Sequence, residues 1–169
     1  NYYKKAIEVD SSYYKAYYSL ATLYINTSPI EAKLYLQKVI DIKPDYPKGY
    51  ETLGILNMQL KEYDDALKNL SLASELDARN YKSNYLLSDI YNQKAISENS
   101  KKNYNRAKEY AKKAISIKKN CAPAYFHLGI AEKGLGNKPA AKDAFEKAKS
   151  NKDWRASAAY ELELLEKGK

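Results

Sequence analysis

One cysteine, one histidine, one methionine and one tryptophan are all that the 169 residues contain of those types. Cys121 therefore has no partner within the chain, so no disulfide framework is available and the redox compartment is left open. No HExxH or CxxC spacing occurs, which removes the usual sequence signs of a metal site, and no cofactor or metal is expected. Glycine is sparse too, at six residues, and Gly134-Leu135-Gly136 reads as a turn rather than a phosphate-cradling loop. No run approaches 18 consecutive apolar residues, so no transmembrane segment is expected. The one thiol and the one imidazole, Cys121 and His127, are close enough in sequence to consider as a dyad. Neither has an evident orienting third group, and no enzyme activity is expected.

What the chain has in quantity is tyrosine, 18 residues against two phenylalanines, together with abundant Lys, Asn and Ile. That profile fits a bias toward A/T-rich codons and explains most of the tyrosine excess. It also carries a net charge of +8.

A pattern organises these residues. A large residue is followed three positions later by Leu, then a small residue, then a further residue three on. It reads Tyr17/Leu20/Ala21/Tyr24, Tyr50/Leu53/Gly54/Asn57, Asn84/Leu87/Ser88/Tyr91 and Tyr125/Leu128/Gly129/Glu132. Each block is followed by an alanine that opens a second apolar run: Ala32, Ala66, Ala107 and Ala141. The leucines are spaced by 33, 34 and 41 residues and the alanines by 34, 41 and 34. One residue has thus been lost between Leu20 and Ala32, and seven gained between Leu87 and Ala107. Both changes fall between two helices of a hairpin, where length variation is tolerated best. Small residues suit a close helix crossing, with large neighbours filling the space alongside. Tyr17, Tyr24, Tyr50, Tyr91 and Tyr125 accordingly read as packing residues rather than as an aromatic ligand cage.

A period of about 34 residues with this layout resembles the tetratricopeptide repeat, a helix–turn–helix unit. The resemblance covers roughly residues 1–152, with two departures: Pro44 alone keeps the helix-ending proline, and Asn84 stands where an aromatic is expected. It implies an all-α fold, an α–α superhelix of four helix–turn–helix repeats with a partial repeat before them and a capping helix after them. The expected division is a partial repeat over 1–13, repeats over 14–46, 47–80, 81–121 and 122–152, and a capping helix over 153–167. In the last of these, Trp154, Ala158, Leu162 and Leu165 share one stripe. A first helix that begins inside a repeat leads to the expectation of a piece of a longer protein, a soluble module of the cytoplasm or periplasm. The insertion near 94–103 predicts two longer helices in the third repeat, projecting as a basic-tipped prong.

The resemblance also implies where function lies, on the concave face lined by the first helix of each pair. The residues expected there are Lys15, Tyr18 and Thr22; Lys48, Glu51 and Ile55; Lys82, Tyr85, Asp89 and Asn92; and Phe126, His127 and Ile130. The apolar ones among polar neighbours mark a protein-binding surface for a peptide or helix of a partner. The carboxylate clamp that some members use for chaperone tails does not fit: its positions fall on Tyr18, Thr22, Thr52, Lys82 and Leu86. Lys15, Lys48 and Lys82 recur near the starts of three first helices, as a solvated rim. Residues 99–121 hold eight cations against Glu109 alone, +7 of the chain's +8, mostly on one second helix. Tyr104 and Tyr110 fall at packing positions and do not interleave the cations as a base-stacking platform would, so this strip reads as a solvated face and no nucleic-acid partner is expected. Two other functions compete with partner binding: a self-assembling scaffold, or a basic surface that docks an anionic polymer or membrane.

Overall fold

The structure is a computed structural model that describes residues 2–168. It is all-helical among those residues, with ten α-helices in chain order: α1 Tyr2–Val9, α2 Tyr14–Tyr24, α3 Pro29–Ile42, α4 Pro47–Gln59, α5 Tyr63–Leu76, α6 Tyr81–Glu98, α7 Lys101–Ile117, α8 Ala122–Gly134, α9 Lys138–Lys149 and α10 Arg155–Glu166. The chain forms two compact units, residues 1–78 and 79–169.

Proline and asparagine set many of the helix ends. Pro29, Pro47, Pro123 and Pro139 each occupy a first turn, where a missing N–H costs nothing and the fixed φ suits a helix. Asn80 and Ser100 cap α6 and α7 by accepting from the backbone N–H of Ser83 and Asn103. Three turns between paired helices need a left-handed residue, supplied by Lys61 (φ 62°), Asn99 (φ 48°) and Gly136 (φ 83°).

In the first unit, α2 packs on α3 and α4 on α5, with α3 joining the two pairs and α1 lying against α2. Its core gathers Ala21, Ala32, Leu36, Ile40, Leu53 and Leu56. In the second unit, α6 packs on α7 and α8 on α9, while α8 touches both α6 and α7. Helix α10 covers α9: Ala158 and Leu162 are buried with Ala141, Phe145 and Ala148, and Leu165 packs alongside. The expected capping role of that helix is met by those contacts. Trp154, placed on the helix by its spacing, is instead the residue just before it and meets Phe126 at 5.0 Å between ring centroids.

The small residues of the repeat act as the crossing rule requires. A Cβ on Gly54 would stand 2.7 Å from Leu70 Cγ, and one on Gly129 would stand 2.5 Å from Phe145 Cε1. Ser88, at the same position in the third pair, donates its hydroxyl to the Ala107 carbonyl at 2.8 Å.

The inserted residues lengthen α6 to 18 residues and α7 to 17, and only Asn99 and Ser100 separate the helices. The prong is tied down more firmly than its sequence indicates. Asn103 is buried and donates to Glu98 at 2.7 Å, while the Tyr104 ring lies so close to Gly134 that a Cβ there would meet it at 2.3 Å.

Candidate interaction surface

Tyr18 of α2 shows how a first-helix residue is positioned in the first unit. Its hydroxyl lies 3.1 Å from the Thr52 hydroxyl on α4, and the Tyr46 ring meets it edge-on at 5.7 Å. The Lys48 ammonium sits 5.6 Å above the same ring. Thr52 stands 34 residues after Tyr18, one repeat on, so the pair ties equivalent helices together. Ile55 and Glu51 are half-buried on α4; Lys15, Thr22 and Lys48 are exposed. Thr22 spends its hydroxyl on the Ser19 carbonyl at 2.8 Å. Ile25 also packs against the core of this unit.

In the second unit Lys82, Tyr85 and Asp89 are half-buried along α6, and Phe126 and Ile130 along α8. The apolar side chains among them also fill a core on one side. Tyr85 packs against Ala114, Cys121 and Ala124, and Phe126 and Ile130 pack against Phe145 and Leu162. Tyr18 likewise packs on the first unit's core.

Two of the expected surface residues are interior. Asn92 is 2% exposed and donates to the His127 carbonyl at 2.8 Å, pinning α6 to α8, while its Oδ1 has no partner. His127 is 8% exposed, its imidazole flanked by Phe126 and Trp154 and its Nδ1 3.8 Å from Asp89. Burial holds its pKa below the ordinary 6.5, outweighing the Asp89 carboxylate, which pulls the other way, so the ring is neutral at pH 7. The α6–α8 contact closes over both side chains, which spacing along one helix does not reveal. Cys121 is buried as well, and desolvation raises its thiol pKa, the opposite of an activated nucleophile.

Residues not expected on these faces complete them: Thr52 and Tyr46 beside Tyr18, and Trp154 beside Phe126. A repeat-length offset signals Thr52; nothing local signals Trp154. Among the described residues, no group of three His, Cys, Asp or Glu is arranged to hold a metal, and no helix is long and apolar enough to cross a membrane.

These hairpins, paired helix by helix around Gly, Ala and Ser crossings, define a helical-repeat protein. The sequence profile of the tetratricopeptide repeat matches residues 81–121 and 122–152. Those residues carry tetratricopeptide repeats, and the fold supports a protein–protein interaction module. Among solved structures it is similar to MamA, at 26% identity and a TM-score of 0.78 over 92% of this chain and 87% of that one. It also resembles YrrB, described as a TPR protein with an unusual peptide-binding site, at 21% identity and a TM-score of 0.76 over 94% and 78% of the two chains. A third relative in fold is TTC0263, a thermophilic TPR protein of Thermus thermophilus, at 19% identity and a TM-score of 0.72 over 90% and 80%. No curated protein matches in sequence.

Proposed function

We infer that the chain binds a peptide or helical segment of a partner protein on the faces of its first helices. The observation that carries this reading is the partial exposure of Tyr18, Ile55, Tyr85, Phe126 and Ile130 on helices that, in α4 and α6, also carry Lys48, Glu51, Lys82 and Asp89. Apolar side chains rimmed by charges and fixed by packing on one edge offer pre-ordered contact area, which lowers the entropy cost of binding. The peptide-binding description of YrrB points the same way, although at 21% identity it shares only the fold, and the residues here must make their own site.

A test follows from the packing. Phe126 packs on both Phe145 and Trp154, so removing it would unsettle the fold; Ile55 and Tyr85 are the probes, with Tyr85 also packing on Ala114, so the variant's melting is compared with the parent's first. Peptides selected against the protein from a random display library should lose about 1–3 kcal/mol of affinity for an Ile55→Ala/Tyr85→Ala variant that stays helical. Equal affinity in the folded variant would sink the reading. Self-assembly is a second reading, favoured by one patch on the α2–α3 hairpin: Leu23, Ile30 and Leu34 are 64%, 74% and 64% exposed.

A further inference from the structure

Helix α7 gathers charge of one sign to a degree no other helix does. Of its cations, Lys108 is offset by Glu132 at 2.9 Å, and just beyond its end Lys118 donates to the Tyr81 hydroxyl at 3.1 Å. Lys101, Lys102, Arg106, Lys112 and Lys113 are exposed, on a helix of 17 residues. That face is about 25 Å long. Midway along it Tyr91 and Tyr110 stack at 5.6 Å and 7°, and the Arg106 guanidinium lies 5.4 Å over Tyr91 while donating to its hydroxyl at 3.3 Å. With Glu109 and Lys113 they wall a cleft of about 450 Å³. Tyr110 belongs to α7 itself, and the neighbouring α6 brings Tyr91 onto it.

We propose that this face of α7 is a docking surface for an acidic segment of a partner protein, separate from the first-helix faces. Charge complementarity selects an anion, and three features select a polypeptide. The two tyrosines stack on each other and Arg106 covers one outer ring, so the face lacks the open aromatic platforms on which bases stack. No residue of α7 is among the exposed large apolar side chains, so the helix has no apolar face to sink into a bilayer. Glu109 interrupts the cationic row in the middle of the cleft. A continuous phosphate track is repelled at that point, whereas a peptide satisfies it with one Lys or Arg between runs of Asp and Glu. The recognised segment is therefore acidic with a single central cation.

The test compares three anionic probes on the whole chain: a glutamate-rich synthetic peptide with one central lysine, phosphatidylserine-containing vesicles, and a single-stranded RNA homopolymer. The peptide should bind tightest, weakening steeply with added salt because the contacts are solvent-exposed. A Lys101→Glu/Lys102→Glu/Lys112→Glu variant should lose peptide affinity by about tenfold or more. The Ile55→Ala/Tyr85→Ala variant should bind this peptide as the parent does, so failure of the first-helix reading and failure of this one are told apart. Preference for vesicles or RNA would overturn the proposal, as would peptide binding that is absent or unaffected by the charge reversals. Growth of particle size with concentration that the charge reversals abolish would overturn it also, since a second copy would then be the occupant.

Discussion

Lys61 and Gly136 occupy the same place in two repeats, and both stand in the left-handed region, at φ 62° and 83°. Glycine is at ease there, while a lysine Cβ crowds its own backbone. Lys61→Gly should therefore raise stability by up to about 1 kcal/mol, read as a shift of the urea midpoint without a change of slope. His127 gives the chain a pH response at the same scale. The unfolded imidazole takes up its proton near 6.5, and the folded one only at lower pH, because burial opposes its charge. The folded state is thus favoured in full above about 6.5 and loses that advantage as pH falls below it. Melting temperatures should drop between about pH 7 and pH 5.5, and His127→Gln should flatten that dependence. A slope unchanged in the variant would place the titrating group elsewhere.

Between elements, one polar device recurs in two chemical versions. In the second repeat Asn57 of α4 donates to Glu62 at 2.6 Å across the turn, and Lys33 of α3 donates to the same carboxylate at 2.6 Å. In the fourth repeat the roles are exchanged: Asn137 donates to Glu132 at 3.2 Å, and Lys108 of α7 reaches that carboxylate at 2.9 Å. Lys33 and Lys108 are equivalent positions, each in the helix that precedes the pair they join. The lysine and amide bonds hold the Glu62 pKa below its ordinary value. Asn57→Ala should cost about 1–3 kcal/mol, because Asn69 donates to its buried oxygen at 3.0 Å and would be stranded. The exchanged double variant Asn57→Glu/Glu62→Asn should instead melt close to the parent, as the fourth repeat already works that way. At the end of the second unit, deleting 153–169 uncovers Phe145 and Ala148 and removes Leu162, Trp154 and the Lys133–Glu161 pair at 3.0 Å. The loss should exceed about 3 kcal/mol by thermal or urea unfolding. A truncated chain that melts like the parent would show that α10 is dispensable.

For the whole molecule, the two compact units differ in where they show apolar and charged surface. The first exposes Leu23, Ile30 and Leu34 on one hairpin; the second carries the cationic α7. Net charge of +8 opposes association, and a contiguous apolar patch favours it. If the patch prevails, light scattering should show mass rising with concentration, more so in high salt where repulsion is screened. Ile30→Lys/Leu34→Lys should hold the chain monomeric. A monomer at every concentration and salt level would remove the scaffold reading.

Spacing in the sequence sufficed for the helices and their pairing, because each hairpin is built from residues close in the chain. Leu, a small residue and Ala at fixed offsets can bury their faces in one way only. The candidate surface was legible in part for the same reason: Tyr18, Ile55 and Tyr85 follow from helical period. Contacts from outside the local pattern decided the rest. Asn92 and His127 share the period of a surface stripe, yet α6 and α8 meet over them and make them interior. Trp154 closes on Phe126 across a repeat boundary, and Tyr91 comes to lie among the α7 cations by stacking on Tyr110. A helix's period fixes which side chains share a face; only the packing of other helices determines whether that face stays open to solvent.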